Sequence, residues 1–209
     1  MSPKIIDNDF LSKDEIEDIR TKVFLMKEHW VALDLKEDKT FNSIVTRMMP
    51  AGMYAPHFDI NNVLENNKLM NGNFSVYYNK IKEKLSAYYD MPVDYSPNFQ
   101  LPGFHIFVTN SLDKVAYPHV NFHRDGFKNL YSKNIDSIVI PISLPKTGGS
   151  LLFSNSTKVF PYIEGMMGIW PGNLVHSIEP FTFSNSSECR ITMQMHVTML
   201  PDAKRIIFW

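Results

Sequence analysis

The sequence predicts a mainly β protein, a sandwich or barrel flanked by helices near its N-terminus. Six short β-rich runs follow one another at near-regular spacing after Pro102, and a capped amphipathic helix pattern stands near the start. No glycine-rich phosphate loop or dinucleotide fingerprint is present, so alternating βα units and nucleotide chemistry are not expected.

With 209 residues the chain is near the upper limit of what one hydrophobic core organises, and a single domain over residues 1–209 is expected. Residues 1–100 would form a helical and mixed elaboration, and residues 101–209 the β-rich core. Hydrophobic residues make up 44% and charged ones 21%, which suits a buried core and not a disordered chain. Lys and Arg number 21 against 22 Asp and Glu, a net charge of −1 that argues against nucleic acid or an anionic membrane as partner. The opening is polar and acidic, no apolar run is long enough to span a bilayer, and the single Cys189 cannot form an internal bridge. A soluble, cytoplasmic protein is the resulting expectation. Asn155-Ser156-Thr157 and Asn185-Ser186-Ser187 match the glycosylation pattern, but without a secretion signal they read as polar turns.

The first element is a helix. Ser12-Lys13-Asp14-Glu15 is a capping-box pattern, and Ile16, Ile19, Val23 and Met26 follow at spacings of three and four. Residues 38–49 are expected to contribute a strand, whereas the asparagine-rich stretch 57–73 carries no signal that places it. A second helix is predicted over 74–89, with Val76, Tyr77, Ile81, Leu85 and Tyr88 on its buried side. The β-rich runs cover residues 104–109, 137–144, 150–154, 166–170, 174–178 and 190–199. In the last of them Cys189, Ile191, Met193, Met195 and Val197 share one face, and Arg190, Thr192, Gln194 and His196 share the other. The apolar face suits packing beneath the helices; the polar face either meets water or lines a barrel.

Candidate chemistry begins at His123-Arg124-Asp125. A histidine and a carboxylate two residues apart face the same side only in extended chain, where their Cα atoms stand about 6.6 Å apart. On a helix they would diverge by roughly 200°. His176 lies 53 residues downstream in a predicted strand just after a turn. Two imidazoles and one carboxylate leave a divalent iron three open positions, which suits a metal that must hold a co-substrate and dioxygen together. A second triplet, His57-Phe58-Asp59, precedes the asparagine-rich stretch, and on that context it is a decoy or a substrate-loop element. Arg190 falls 14 residues after His176, on what reads as the next strand of a hairpin turning near 184–187. Its planar fork matches a carboxylate, with Thr192 on the same face as a further donor. Taken alone, Arg190 reads as a strand-end arginine facing water.

His123-x-Asp125, then His176, then Arg190-x-Thr192, in that order, resemble the iron(II)- and 2-oxoglutarate-dependent oxygenases, a prolyl-hydroxylase-like superfamily. Gly148-Gly149-Ser150-Leu151-Leu152-Phe153 resembles their Gly-Gly-x-Leu-x-Phe segment, and Gly172-Asn173-Leu174-Val175-His176 the turn that delivers their distal histidine. Phe10-Leu11-Ser12-Lys13-Asp14-Glu15 is similar to the start of their first helix. The likeness is strong over residues 118–197 and loose over the first hundred.

The resemblance implies a double-stranded β-helix, a jelly-roll, cupin-like barrel with iron at one end. His123, Asp125 and His176 would be the metal ligands and catalytic centre. Arg190 with Thr192 would bind the distal carboxylate of the co-substrate 2-oxoglutarate. A C–H bond of a small-molecule substrate, such as a free amino acid, would be hydroxylated at the expense of dioxygen, with 2-oxoglutarate decarboxylated to succinate. Asp125 stands where related halogenases carry a small residue, which favours hydroxylation over halogenation; desaturation and ring closure share the same ligands. The competing class is a cupin-type metal barrel, redox-neutral or a ligand sensor, which needs neither Arg190 nor 2-oxoglutarate. His119 and His105 read as structural or near the pocket, Gln194 and His196 as pocket candidates, and Phe153 and Trp170 as core.

Overall fold

The computed structural model describes residues 2–32, 40–41, 44–50, 60–118, 120–125, 134–156, 158–200 and 204–209. In chain order these form β1 (Lys4–Asp7), α1 (Lys13–Leu25), a 3-10 turn (Lys27–His29), β2 (Val31–Ala32), β3 (Thr40–Phe41), β4 (Ile44–Met49) and α2 (Ile60–Tyr89). There follow β5 (Val93–Tyr95), β6 (Gly103–Thr109), β7 (Val115–Tyr117), β8 (Ile135–Ser143), β9 (Leu151–Phe153), β10 (Val159–Phe160) and β11 (Met167–Pro171). The chain closes with β12 (His176–Ile178), β13 (Phe181–Phe183), β14 (Cys189–Met199) and β15 (Arg205–Phe208). No helix among the described residues is long and apolar enough to cross a membrane.

The six strands read from the sequence are present, each within a residue or two of its expected ends. A large sheet runs in the order β1-β11-β8-β14-β6-β4-β2, with β3 on β4 and with β15 joining β14 to β5. Beside it stand a three-stranded sheet, β10-β9-β12, and the pair β13-β7. Isolated bridges at Thr147–Thr182 and His123–His176 extend these smaller sheets. Aside from the parallel β15–β5 pair, every strand pair is antiparallel. Two apolar clusters join the large sheet to the smaller ones. Val139 and Trp170 pack with Leu151, Phe153 and Tyr162, and Ile44 and Phe107 pack with Phe181 and Phe183. The architecture is a jelly-roll barrel.

β14 lies at the centre of the large sheet, flanked by β8 along one edge and by β6 and then β15 along the other. Its alternation resolves the choice left open by the sequence. Cys189, Ile191, Met193, Met195 and Val197 join Ile138, Ile140, Phe104 and Ile106 in the core beneath α1 and α2. The opposite face, carrying Arg190, Thr192, Gln194 and His196, therefore looks into the barrel. Gly103 on the same inward side of β6 has no room for a side chain, because an added Cβ would lie 1.8 Å from the Trp209 ring.

The capping box at Ser12 forms as read: Ser12 Oγ accepts from the Glu15 amide and the Glu15 carboxylate accepts from the Ser12 amide. Lys80 of α2 then reaches both Glu15 oxygens, tying the two helices together at their N- and C-terminal halves. The second helix departs from expectation. It begins at Ile60, fourteen residues before the predicted start at 74, and so takes in most of the asparagine-rich stretch. Asparagine is a poor helix former, but Val63 and Met70 are buried here, and Asn67 bonds the Phe99 carbonyl and the Leu101 amide. Tertiary contacts thus override local propensity. Val76, expected inside, is 64% exposed, and Tyr88 is half-buried beneath the Lys4 ammonium. Met70, Phe74, Tyr77, Ile81 and Leu85 make the true inner stripe.

These faces predict opposite outcomes for two truncations in α2. Leu85→Ala should lose about 2–5 kcal/mol of unfolding free energy, as buried leucines do. Val76→Ala should be neutral or slightly stabilising, since alanine is the better helix former at an exposed position. Urea unfolding followed by circular dichroism distinguishes the two.

Candidate active site

The narrow side of the barrel brings the first three predicted residues together. His123 and His176 exchange backbone hydrogen bonds, each amide donating to the other's carbonyl at 2.9 Å. This bridge holds His123 in extended, sheet-paired backbone, in keeping with the His-x-Asp reading. It also places the two imidazoles side by side, 4.6 Å between centroids. Each ring is oriented by its own chain: His123 Nδ1 lies 2.9 Å from the Asn121 carbonyl and His176 Nδ1 lies 2.9 Å from the Leu174 carbonyl. A carbonyl only accepts, so both Nδ1 atoms carry a proton, which makes Nε2 the lone-pair atom of each ring in its neutral form.

Asp125 completes the group. Ligand atoms of His123, Asp125 and His176 all lie within 4.8 Å of one another. The 3.6 Å between His176 Nε2 and Asp125 Oδ1 is too long for a hydrogen bond. Burial lowers the His176 pKa, against the opposing pull of Asp125, so the ring is a neutral lone-pair donor and this contact is no ion pair. Trp170 and Phe153 are core residues as expected, and both also wall the His176 ring, at 5.6 and 6.2 Å. His176 is buried while His123 is exposed, so the group opens to solvent on the His123 side. Two imidazole nitrogens and a carboxylate oxygen converging on one point suit a divalent transition metal with open positions.

Arg190 is placed differently from the expectation. It neither faces water nor sits on a hairpin with His176. β12 pairs with β9, β13 pairs with β7, and the chain crosses through residues 184–188 to the large sheet before β14 begins. Because β13 commits its hydrogen bonds to β7, no hairpin between β12 and β14 forms. Arg190 is instead fully buried. Its Nε donates to the Gly149 carbonyl at 2.8 Å, and its guanidinium carbon lies 5.4 Å from the Phe107 ring and 5.6 Å from the Tyr162 ring. The Gly148-Gly149 turn that delivers this carbonyl has φ of 73° and 80°. Glycine is needed twice over at Gly148, where a Cβ would meet the Pro180 carbonyl oxygen at 1.9 Å.

Arg190 Nη1 has no hydrogen-bond partner and, among the described residues, no acidic side chain pairs with the guanidinium. A buried, unpaired cation is costly, and an anionic ligand such as a carboxylate could offset that cost at this end of the side chain. Thr192, also fully buried, is one step along on the same face and accepts from the Gln194 amide at 3.2 Å, leaving its hydroxyl proton available. His105 pairs with Thr192 across the β6–β14 register, on the inward face.

His57, Asp59 and His119 lie outside the described residues. Sequence reasoning missed Ser137, whose hydroxyl donates to Asp125 Oδ2 at 2.6 Å, and Phe107 and Tyr162, which enclose Arg190. No local signal marks Ser137, because its strand Ile-Asp-Ser-Ile-Val-Ile-Pro-Ile-Ser carries Asp136 and Ser143 as well.

No family model matches the sequence, and no curated protein matches it. Among solved structures, the chain is similar to an oxidoreductase of the 2OG-Fe(II) oxygenase family from Burkholderia pseudomallei. The identity is 12%, the TM-score 0.51, and the match covers 88% of this chain and 79% of the other. It is also similar to a Pseudomonas putida prolyl-4-hydroxylase, with 12% identity, 92% and 89% coverage and a TM-score of 0.43. The non-heme α-ketoglutarate-dependent epimerase SnoN from nogalamycin biosynthesis follows at 9% identity, 91% and 76% coverage and a TM-score of 0.47. The first of these, with the strand order, identifies the fold as a double-stranded β-helix.

The interior histidines predict a pH dependence. Burial pushes His196 down to about 4, against the pull of Asp125, and burial with Arg190 nearby pushes His105 down to about 3. Both are neutral in the folded protein but protonate near pH 6.5 once unfolded. The unfolded state then binds more protons, so their contribution is present above pH 6.5 and lost as pH falls towards 4. Each histidine accounts for at most about 1.4 kcal/mol per pH unit. Urea midpoints of the metal-free protein should fall steadily from pH 6.5 to 4.5, and His196→Phe should flatten that slope.

Proposed function

We propose that the protein is an iron(II)- and 2-oxoglutarate-dependent oxygenase that hydroxylates a C–H bond of a small metabolite such as a free amino acid. The observation that carries this reading is the pairing of two features in one barrel. A His123–Asp125–His176 group is open on one side, and a fully buried arginine ends in an unpartnered Nη1. A cupin-type barrel needs the first feature but gives no reason for the second.

In this reading His123, Asp125 and His176 hold the metal, and Arg190 with Thr192 holds the distal carboxylate of 2-oxoglutarate. When bound, iron, 2-oxoglutarate and dioxygen supply the oxidising chemistry, in which the keto acid becomes succinate and carbon dioxide and a C–H bond becomes an alcohol. The protein's contribution is orientation and exclusion of water. The two Nδ1–H···O=C bonds fix the Nε2 lone pairs before any metal arrives. Gly149 holds Arg190 at Nε, so only the Nη end of the fork is free to turn towards a carboxylate. Phe107 and Tyr162 cover the guanidinium, strengthening its interaction with an anion by excluding water. Asp125 fills the ligand position that halide chemistry would need vacated, which supports hydroxylation. The near-neutral charge supports a small substrate over a charged polymer.

The test needs no knowledge of the substrate. Adding iron(II) and then 2-oxoglutarate under strict anaerobic conditions should give a weak visible charge-transfer band. Asp125→Ala and His176→Ala should abolish it and His57→Ala should leave it intact. Arg190→Ala should raise the 2-oxoglutarate concentration required by about 10–100-fold, since hydrogen bonds to charged groups contribute about 1.5–3 kcal/mol. Iron binding without any such band would overturn the reading and favour a redox-neutral barrel.

A further inference from the structure

Beyond the three candidate ligands, a buried chain of hydrogen bonds runs from Asp125 into the large sheet. Ser137 on β8 and His196 on β14 are direct cross-strand partners, and both side chains point inward. Ser137 Oγ lies 2.6 Å from Asp125 Oδ2 and 3.1 Å from His196 Nδ1. The serine and the histidine are both almost fully buried. A serine hydroxyl has one proton. The short contact to a carboxylate oxygen, which cannot donate, takes that proton, as in other short O–H···O⁻ pairs. Ser137 therefore accepts from His196, whose Nδ1 must carry the hydrogen. The chain has one direction only: His196 Nδ1–H to Ser137 Oγ–H to Asp125 Oδ2.

The consequence falls on the carboxylate. Oδ2 is engaged by Ser137 while Oδ1 is the oxygen turned towards His176 Nε2, at 3.6 Å. A free carboxylate swings between one-oxygen and two-oxygen binding, and the two modes consume different numbers of metal positions. We infer that Ser137, oriented by His196, is a positioning residue that locks Asp125 into one-oxygen coordination through Oδ1 and so keeps the remaining metal positions open. This rests on the metal-site reading above, and extends it from three ligands to a five-residue unit spread over both sides of the barrel. Ser143, on the same strand, makes a useful contrast. It is also buried, but its hydroxyl contacts Cys189 on the far side of the sheet's core rather than the site.

The probe is cobalt(II), titrated into the metal-free full-length protein in competition with a chromophoric chelator, with the cobalt d–d absorption recorded at saturation. Ser137→Ala should weaken cobalt binding by about 10–100-fold, the usual effect of removing a partner that orients a metal ligand. It should also alter the d–d band, because the released carboxylate changes the coordination number. Ser137→Thr, which keeps the hydroxyl, should restore the wild-type band. His196→Phe should weaken binding in the same direction but less, and Ser143→Ala should match wild type. Wild-type affinity and an unchanged band in Ser137→Ala, while Asp125→Ala fails to bind, would overturn this inference and leave the metal site standing. Equal losses in Ser137→Ala and Ser143→Ala would overturn it as well, by showing only a loosened barrel. If the wild-type protein and Asp125→Ala take up cobalt alike, the metal site and the inference fall together.

Discussion

Two backbone hydrogen bonds between His123 and His176 set the geometry on which the candidate site depends. A hydrogen-bonded antiparallel pair holds its Cα atoms about 5.5 Å apart and sends both side chains to the same face. The sequence separation of the two histidines is thereby converted into adjacency, and the period-2 alternation of extended chain brings Asp125 back to that face. Slipping this pairing by one residue would send one imidazole outwards and dissolve the group. Everything else at this end of the barrel refines an arrangement that the bridge has already made: the two self-carbonyl contacts, the Trp170 and Phe153 walls, and the serine behind the carboxylate.

The opposite side of the barrel is organised by β14. One strand supplies an apolar face to the helix layer and a polar face to the interior. The large hydrophobic core and the binding chamber are therefore two sides of one sheet. Helix α2, anchored by Asn67 and by its inner stripe, stiffens that sheet from outside. The rigidity matters because Arg190 is held without a counter-charge. A looser sheet would let the guanidinium swing to water, whereas the Gly149 carbonyl and the two aromatic rings keep it buried and aimed. In the proposed reading, the stability forgone in burying an unpaired cation would be recovered on binding an anion, which is how a preorganised site gains affinity.

Much of this was legible in the sequence because it depends on local period. Short β-rich runs between turn residues defined the six strands, the Ser12 capping box defined α1, and the spacing of His123 and Asp125 made sense only in extended chain. What escaped the reading depends on partners distant in sequence. Nothing local in an asparagine-rich segment announces a helix; α2 starts at Ile60 because Phe99 and Leu101 take up Asn67 and because Val63 and Met70 find a core. The Arg190 hairpin was a reasonable inference from a turn at 184–187, but strand pairing is decided by the whole sheet, and β13 had a better partner in β7. Val76 is apolar but sits about 100° round the helix from Tyr77, off the Met70–Phe74–Tyr77–Ile81–Leu85 stripe. Ser137 was invisible because one serine in a strand has no signature until its neighbour across the barrel is known.

The outermost strand of the large sheet is also among the first residues of the chain. β1 pairs with β11, joining Lys4 to Ile169, a contact that closes a loop of most of the domain. Such a long loop is entropically expensive to close and slows folding. Until it closes, β11 (Met-Gly-Ile-Trp-Pro) presents an apolar strand with unsatisfied amides, an invitation to pair with a neighbouring molecule. The short segment Lys-Ile-Ile-Asp that finally covers it carries a charge at either end and is a poor template for further growth. The amino-terminal strand thus works as a stopper against self-association, covering an edge that would otherwise be apolar.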